Sequence, residues 1–520
     1  MLNSQMHSPG VTGQPSSSSK WIAWGGLFVA WAVSLVCFGW STRHGMGLVN
    51  DTPAFTGVAL ARLRGEKVIS LHQPPFCGWL IAFVAEAGKI DVVDAARFIQ
   101  LLATIAIVTG VWWQVRWALP RVPLATGIAT LLAALSCPYI EFAGDVSSDQ
   151  LGAALAIWAL GLLARHLAVE RDRRWLAACL IVAMLAFINR FAAFGVLLTI
   201  SVVLWLRRGR PFGRDFLIAL GAGVVMVMPC VVVLWRNAAA TGQATSRHVV
   251  WNGIAWDRIR QSLEQLCLWY LPTPLARWPI GLVLLLGLAT LVWITRDVWR
   301  NLRAPRALLT TFAAFGVLNM LFLVTTIALS EFGLALDSRT LLPCIAGSII
   351  LVVVAAACAA SFGRPYRAVI LLIAFMVVAL QSHRAASLVA SYGEQGRGQL
   401  NVLTAQSRFP DFVHEHRDAT FLTNNPPWYF NLTRSSCLML PAEYSILTNQ
   451  RDPEFDAEIT ALRARLRGPT ETYLVVFEVT DVETRLDAHR LMAGGNFRRV
   501  LHDAFVSVYR FAPTATAAAR

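Results

Sequence analysis

Residues 21–40 read WIAWGGLFVAWAVSLVCFGW, an apolar stretch of 20 residues without a charged side chain. About 20 apolar residues suffice to cross the hydrocarbon core of a bilayer as a helix. The stretch is too long for the core of a signal peptide and lacks a small-x-small cleavage site. The polar residues 1–20 precede it as a short tail, predicted to be cytoplasmic. The stretch is therefore predicted to remain in the protein as a transmembrane anchor.

Similar apolar runs recur along the first 383 residues. Hydrophobic residues make up 56% of the chain and charged residues 15%, with a mean hydropathy of +0.54, whereas soluble domains have roughly 45–50% and about 25%. The predicted fold class is an all-α polytopic membrane domain over residues 21–383. The eleven predicted spans lie near 21–40, 94–115, 122–140, 150–167, 175–189, 191–206, 216–235, 278–295, 307–329, 340–360 and 367–383.

Arginine residues cluster in every second connection between these spans. The positive-inside rule makes those connections cytoplasmic. The same clustering accounts for the net charge of +14, so nucleic-acid binding is not predicted. A bacterial inner membrane is the predicted location, from the Arg- and Ala-rich composition. The remaining loops face outwards with everything after residue 384, and they comprise 41–93, 141–149, 189–190, 236–277 and 330–339.

Residues 384–520 have a different character. They are polar, with short β-rich runs at 472–479 and 505–511 and a helical pattern at 456–467. A small extracytoplasmic α/β domain is predicted here. The nine cysteines of the whole chain are scattered, mostly in apolar runs, and form no Cys-x-x-Cys pair, which indicates small buried side chains.

The first outer loop, residues 41–93, contains a prominent carboxylate. Residues 52–64 are predicted to form a helix lying on the membrane, with Pro53 in its first turn, and residues 76–87 a second helix too short to span. Asp51 stands directly before the first of these helices. Two interpretations stay open, a helix N-cap and a catalytic carboxylate at the membrane surface.

The second outer loop, residues 141–149, contains three carboxylates. Glu141, Asp145 and Asp149 fall within nine residues, where the chain leaves and re-enters the hydrocarbon. Carboxylates so close to lipid are costly unless they are paired, capped or bound to a metal. Asp149 also stands where a helix N-cap would, so that both a structural and a functional interpretation stay open.

Basic side chains are predicted at the same depth as these carboxylates. Arg190 lies between two short spans, and Arg339 follows Asp337, a ready partner in sequence. His72 lies in the first outer loop. A carboxylate can deprotonate an acceptor hydroxyl, and cations can neutralise the charge that develops on a departing phosphate. The combination favours transfer chemistry on a phosphate-linked lipid.

Five short motifs follow one another between residues 50 and 343. They are Asn50-Asp51, His72-Gln-Pro-Pro-Phe-Cys-Gly-Trp-Leu-Ile-Ala82, Ser148-Asp149-Gln-Leu, Phe187-Ile-Asn-Arg190 and Asp337-Ser-Arg-Thr-Leu-Leu-Pro343. In this order, and with this topology, they resemble the polyprenyl-phosphate-sugar-dependent glycosyltransferases of the GT-C fold. That class holds the protein O-mannosyltransferases and the lipid A aminoarabinose transferases.

The resemblance implies roles for individual residues. Asp51 would be the essential acidic residue of the first loop, acting as base or positioning the acceptor, and Asp149 would belong to the second acidic loop. Aminoarabinose transferases typically have Asp-Glu-x-x-Arg at the loop start and a Lys before the Pro-Pro pair. This chain has Asp51-Thr-Pro-Ala-Phe and Gln73 instead. Substitute phosphate-binding cations would then come from His72, Lys67, Arg62 or Arg190.

The prediction is an inverting glycosyltransferase that moves a sugar from a polyprenyl-phosphate carrier to an outward-facing hydroxyl of a lipid, glycan or protein. Whether a divalent cation takes part stays open, because hard cations need several convergent oxygen ligands. One alternative is a lipid-linked substrate transporter or flippase, disfavoured because the charges lie at span ends. Another is an inactive GT-C-like protein of polysaccharide assembly. The candidate residues are Asp51 and Asp149 for catalysis, Asp145 and Glu141 for acceptor or metal, and His72, Arg190, Arg339, Arg62 and Lys67 for the lipid phosphate.

Overall fold

A computed structural model provides the architecture of the chain. It describes residues 17–66, 73–169, 172–206, 214–242, 251, 253, 256–329, 337–398, 400–441, 443, 451–466, 471–478, 492 and 497–511.

Helices dominate the first 395 residues, and short strands appear only after them in the part of the chain that the structure describes. The helices are α1 (Ser17–Ser41), α2 (Thr52–Leu63), α3 (Phe76–Gly88), α4 (Val92–Ala118), α5 (Pro123–Ala134), α6 (Cys137–Ala143), α7 (Asp149–Ala168), α8 (Arg173–Asn189), α9 (Phe194–Leu206), α10 (Arg214–Thr241), α11 (Trp256–Tyr270), α12 (Trp278–Ile294), α13 (Arg296–Arg300), α14 (Arg303–Leu329), α15 (Leu342–Ala359), α16 (Arg364–Gln395), α17 (Val402–Ala405), α18 (Phe409–Glu415), α19 (Pro426–Thr433) and α20 (Phe455–Leu466). The strands are β1 (Gly396–Arg397), β2 (Leu400–Asn401), β3 (Thr420–Thr423), β4 (Leu438–Met439), β5 (Thr472–Phe477), β6 (Phe497–His502) and β7 (Val506–Phe511).

The helices confirm a multi-pass membrane protein. Seven described helices are long and apolar enough to cross a membrane, or eight if the bent pair α5 and α6 counts as one span. All eleven predicted spans lie on helices. Besides the bent pair α5 and α6, the helices α8, α9 and α12 are 17 residues or shorter. The largest apolar core lies among α4, α7, α9, α14 and α15.

The predicted span at 122–140 is broken rather than straight. The axes of α5 and α6 differ by 47° across a two-residue gap. Pro138 lies in the first turn of α6, where its missing N–H does not interrupt the hydrogen-bond ladder. The bend directs Tyr139 towards α15, where its hydroxyl donates a hydrogen bond to the carbonyl oxygen of Leu342 at 3.1 Å.

The last long helix continues past the predicted end of its span. Helix α16 ends at Gln395, so that the predicted domain boundary at 384 falls inside it. The apolar run stops before this point, but Ala-rich residues sustain the helix. Gln381 also donates a hydrogen bond from its amide to the carbonyl oxygen of Trp269 at 2.9 Å. Gly396, with φ of 76°, follows the last helical residue in a conformation that favours glycine.

The C-terminal region, residues 396–511, contains the predicted α/β structure. A five-stranded mixed sheet has the order β4-β3-β5-β7-β6. Side chains alternate between its faces: Tyr473 and Val475 pack with α18 and α19, whereas Leu474 packs with Leu466 of α20. The predicted strands at 472–479 and 505–511 correspond to β5 and β7, and the predicted helix at 456–467 to α20.

Three loop segments meet at one end of the helices. Gly47 forms a parallel β-bridge with Asp145, and Leu48 forms another with Gly398. The backbone N–H of Gly47 donates to the carbonyl oxygen of Gly144 at 2.6 Å. The first outer loop therefore lies between the second outer loop and the beginning of the C-terminal region.

Candidate active site

Asp51 lies at the start of α2, which has Pro53 in its first turn. The residue occupies the N-cap position, but its side chain makes no capping hydrogen bond. Its Oδ2 instead accepts a charge-assisted hydrogen bond from Nη2 of Arg339. The Asp51 side chain is 36% exposed, so that it is partly accessible in spite of the ion pair.

Asp149 is the first residue of α7, and it is fully buried. Nε of Arg339 donates a hydrogen bond to its Oδ2 at 2.7 Å, while Nη1 of Arg190 forms an ion pair with Oδ1. A buried carboxylate is stable only when its charge is compensated. The side chain is thus an ion-pair partner of two guanidinium groups rather than a helix cap.

Arg190 reaches Asp149 because two helices meet at this residue. Helix α8 ends at Asn189, Arg190 has an extended backbone, and a 3-10 turn over Phe191–Ala193 leads into α9. The amide of Asn189 donates a hydrogen bond to the carbonyl oxygen of Ser148 at 2.9 Å. This bond joins the end of α8 to the start of α7, next to the ion pair.

Arg339 joins the two carboxylates through one guanidinium group. Its sequence neighbour Asp337 accepts hydrogen bonds from the backbone N–H of Thr340 at 3.0 Å and thereby stabilises the turn before α15. Ser338 donates from its hydroxyl to Oε1 of Gln265 on α11 at 2.8 Å. The Arg339 side chain, whose guanidinium group bridges both carboxylates, is 28% exposed.

Asp51, Asp149, Arg190 and Arg339 therefore form one centre, called here the paired-charge centre. Two carboxylates and two guanidinium groups give it no net formal charge. Both side chains form ion pairs, and neither makes a capping hydrogen bond. The structure therefore does not support the interpretation of Asp51 and Asp149 as helix N-caps.

Glu141 and Asp145 lie in a second cluster, around an arginine that the sequence interpretation did not select. Arg397 donates from Nε to Oδ1 of Asp145 at 2.5 Å and from Nη2 to Oδ2 at 2.7 Å. Its Nη2 is also 3.5 Å from Oε1 of Glu141. Burial lowers the pKa of Arg397, but the ion pair with Asp145 outweighs it and leaves that pKa above its ordinary value. The sequence offered no signal for Arg397, because the predicted span ended at residue 383 and the helix that leads to Arg397 is seen only in the structure.

The remaining predicted residues lie elsewhere. Arg62 lines an open cavity of about 400 Å³ together with Trp79, Phe83, Glu86 and Arg236. His72 and Lys67 lie outside the described residues. Among the residues that the structure describes, no three His, Cys, Asp or Glu side chains are grouped so as to hold a metal ion.

The comparisons with known proteins agree with this architecture. Residues 72–235 match the model of the dolichyl-phosphate-mannose-protein mannosyltransferase family. The matched stretch includes Asp149 and Arg190 but neither Asp51 nor Arg339. No curated protein matches the sequence.

Two solved structures share the overall fold. ArnT from Cupriavidus metallidurans, bound to undecaprenyl phosphate, superposes with a TM-score of 0.58 at 14% identity, covering 94% of this chain and 98% of that one. The archaeal oligosaccharyltransferase AglB from Archaeoglobus fulgidus, in complex with an inhibitory peptide and a dolichol-phosphate, gives 0.56 at 11%, covering 96% and 75%. Both are GT-C fold glycosyltransferases. The chain is thus a multi-pass membrane protein with the GT-C fold, which confirms the resemblance predicted from its motifs.

Proposed function

We propose that the protein transfers a sugar from a polyprenyl-phosphate carrier to an acceptor hydroxyl at the outer face of the membrane, with inversion at the anomeric carbon. The observation that carries the proposal is the contact of Arg339 with both Asp51 and Asp149. Residues from separate loops meet there, and this contact supports the pairing of a proposed base, Asp51, with a proposed phosphate-binding cation, Arg339. The GT-C fold and the polyprenyl phosphates in the two related structures support this choice of donor.

The reaction uses the charges of the paired-charge centre directly. The Asp51 carboxylate takes the proton of the acceptor hydroxyl as its oxygen bonds to the anomeric carbon. The bond from that carbon to the phosphate oxygen breaks, and the polyprenyl phosphate leaves with the electron pair. Arg339 and Arg190 stabilise the negative charge that develops on the phosphate. A single displacement of this kind inverts the anomeric configuration.

The two carboxylates differ in burial, and we assign them different roles for this reason. Asp51 is 36% exposed and accessible to an acceptor, whereas Asp149 is completely buried beneath two guanidinium groups. Asp51 is therefore the proposed base, and Asp149 the residue that orients Arg339 and Arg190. As the donor phosphate enters, it competes with Asp51 for Arg339. The exchange releases the Asp51 carboxylate when the donor is in place.

The donor site extends beyond the paired-charge centre in this proposal. Arg62 shares its cavity with Arg236 and two aromatic rings, a combination suited to an anionic headgroup above an isoprenoid chain. Lys67 and His72, which lie between Arg62 and Trp79 in the sequence, complete the set of cations proposed to bind the lipid phosphate. Glu141 and Asp145 pair with Arg397, and Asp51 and Asp149 pair with Arg339. A divalent cation would therefore have to displace a guanidinium group from either pair of carboxylates. Transfer measured with EDTA and with added Mg²⁺ tests that part.

The location follows from the same proposal. The charge pattern of the loops supports an outer location for the paired-charge centre and residues 384–520, and the Arg- and Ala-rich composition favours a bacterial inner membrane. The carrier would then present its sugar at that surface, where the acceptor, whether lipid, glycan or protein, is available.

The experiment uses purified full-length protein in liposomes with radiolabelled undecaprenyl-phosphate sugars and an extract of bacterial envelope lipids and glycans. Asp51→Asn keeps the size of the side chain but removes its basicity, and we expect loss of transfer. Glu66→Gln is the matched control, because Glu66 lies in the same loop in a loose, exposed ion pair with Arg64 at 3.9 Å. Transfer by the control should equal that of the wild type.

Each outcome separates the alternatives. Full transfer by Asp51→Asn would refute its role as base. A wild-type protein that transfers none of the sugars supplied would favour the inactive assembly protein. Movement of intact labelled donor across the bilayer, without product, would favour a transporter or flippase.

A further inference from the structure

Arg397 lies outside the proposed reaction, yet it pairs with Asp145 and Glu141 in the loop that leads to Asp149. We propose that Arg397 is a positioning residue. It fastens the C-terminal region to the second outer loop, next to the contact of Gly398 with the first outer loop, and so keeps Asp51 and Asp149 in a fixed relative position. The inference rests on the proposed function for its catalytic consequence, whereas the fastening itself is a property of the fold.

The first step is the contact with the second outer loop. The guanidinium of Arg397 binds both carboxylate oxygens of Asp145 in a fork, at 2.5 and 2.7 Å. The side chains of the two residues are 10% and 5% exposed. Paired planar groups of this kind have a defined geometry, and the buried surroundings reduce screening by water. The carbon of the Arg397 guanidinium also lies 4.7 Å from the ring centroid of Tyr392 on α16.

The second step is the contact with the first outer loop. Gly398, with φ of 60°, lies against Leu48, and a Cβ at residue 398 would stand 2.6 Å from the carbonyl oxygen of Leu48. Farther along the C-terminal region, the amide of Asn431 on α19 donates a hydrogen bond to the carbonyl oxygen of Val49 at 3.1 Å. The C-terminal region therefore contacts two consecutive residues that immediately precede Asn50 and Asp51.

The third step connects these contacts to the carboxylates. Thr52 accepts a hydrogen bond from the backbone N–H of Val49 at 2.8 Å and donates one to the carbonyl oxygen of Val146 at 3.1 Å. Gln100 donates from its amide to the carbonyl oxygens of Asp145 at 3.0 Å and Ser147 at 2.5 Å. Arg397 thus binds a loop whose residues 145–147 are hydrogen-bonded to Thr52, next to Asp51, and to Gln100, and this loop leads directly to Asp149.

The position of a reacting carboxylate affects the rate strongly, since a displacement of about 1 Å can cost about 10²-fold. Loss of the Arg397 fork should therefore lower turnover more than donor affinity. In this proposal the C-terminal region is part of the framework that holds the active site.

The experiment compares Arg397→Gln, Arg397→Lys and the control Arg451→Gln in the full-length protein. Arg451 also pairs with two carboxylates of the C-terminal region, Glu443 at 3.2 Å and Asp456 at 3.0 Å, but it is 53% exposed. Hydrogen–deuterium exchange is followed in peptides that cover residues 45–52 and 141–149. Initial rates are measured with the labelled donor that the wild type uses.

For Arg397→Gln we expect faster exchange in both peptides, a fall in kcat of about tenfold or more, and a donor KM within about threefold of wild type. Arg397→Lys keeps the charge but not the fork, and should restore part of kcat. Arg451→Gln should match the wild type in every measurement.

Three results would overturn the proposal: unchanged exchange in both peptides, unchanged kcat despite faster exchange, or a donor KM that rises as much as kcat falls. If Arg397→Gln does not fold, Arg397→Lys and Asp145→Asn provide the same comparison. If the wild type transfers no sugar, the proposed function fails, while the exchange data still decide whether Arg397 fastens the loops.

Discussion

Replacement of Arg339 by glutamine removes a group that contacts both Asp51 and Asp149. The variant loses the 2.7 Å charge-assisted bond to Asp149 and the contact with Asp51. It also loses the cation proposed to stabilise the departing phosphate. The effects on stability and on catalysis can be estimated separately.

The loss of stability in this variant should be limited, because one ion pair of Asp149 remains. A hydrogen bond to a charged group contributes about 1.5–3 kcal/mol, but Arg339 is partly exposed and Arg190 still compensates Asp149. We expect the free energy of unfolding to fall by about 2 kcal/mol. Removal of one group that stabilises developing charge typically lowers kcat by about 10²–10³-fold. Catalysis should therefore suffer more than folding.

The assay pairs thermal unfolding in detergent with initial rates of transfer in liposomes, at a temperature where the variant is folded. Arg260→Gln is the control, because Arg260 forms a loose, exposed pair with Glu264 at 3.8 Å on neighbouring α11. Both quantities should stay at wild-type values in the control. A folded Arg339→Gln protein with kcat within threefold of wild type would refute the proposed contact with the phosphate.

Three further predictions concern the loops and the C-terminal region. Gly47→Ala should lower the melting temperature by several degrees and slow transfer, because the added methyl group would overlap the Asp145 carboxylate. The control Gly25→Ala should be neutral, because the space around residue 25 is open. Equal melting temperatures of the two variants would contradict the prediction. Cys437, whose pKa burial raises to about 12, should resist iodoacetamide at pH 8 until the protein unfolds, as peptide mass spectrometry can show; rapid labelling of native protein would oppose it. Asn424→Ala should lower the free energy of unfolding by about 2 kcal/mol, because the Asn424 side-chain amide donates to the carbonyl oxygen of Phe477 in β5 and accepts from its N–H. The binding of undecaprenyl phosphate, measured by titration, should stay unchanged.

Local patterns predicted much of the helical structure. The helix after Asp51 and the short helix after Pro75 follow from proline positions and apolar runs, and they appear as α2 and α3. The span at 122–140 was predicted as one helix because hydropathy does not register a bend of 47°. The predicted span at 367–383 covers only part of α16, because hydropathy reports lipid contact, whereas the helix continues through polar residues such as Arg384 that contact other elements.

Long-range pairing was less accessible to sequence. Arg339 and Asp51 are separated by 288 positions, and the nearby Asp337 was the more obvious partner for Arg339. The family resemblance selected both members of the pair without predicting their contact. Arg397 was missed because its partner Asp145 lies 252 positions away. Only the convergence of three loops explains why a buried arginine stands there.

The proposed reaction requires that the phosphate of the lipid donor binds Arg339, displaces Asp51 from this arginine and so completes the active site. The most direct measurement is a cryo-electron microscopy structure of the wild-type protein in lipid nanodiscs with undecaprenyl phosphate. We predict the phosphate in contact with Arg339, the Asp51 carboxylate released from that arginine, and Asp149 still paired with Arg190. A phosphate bound elsewhere, with Arg339 still joined to both carboxylates, would contradict the account.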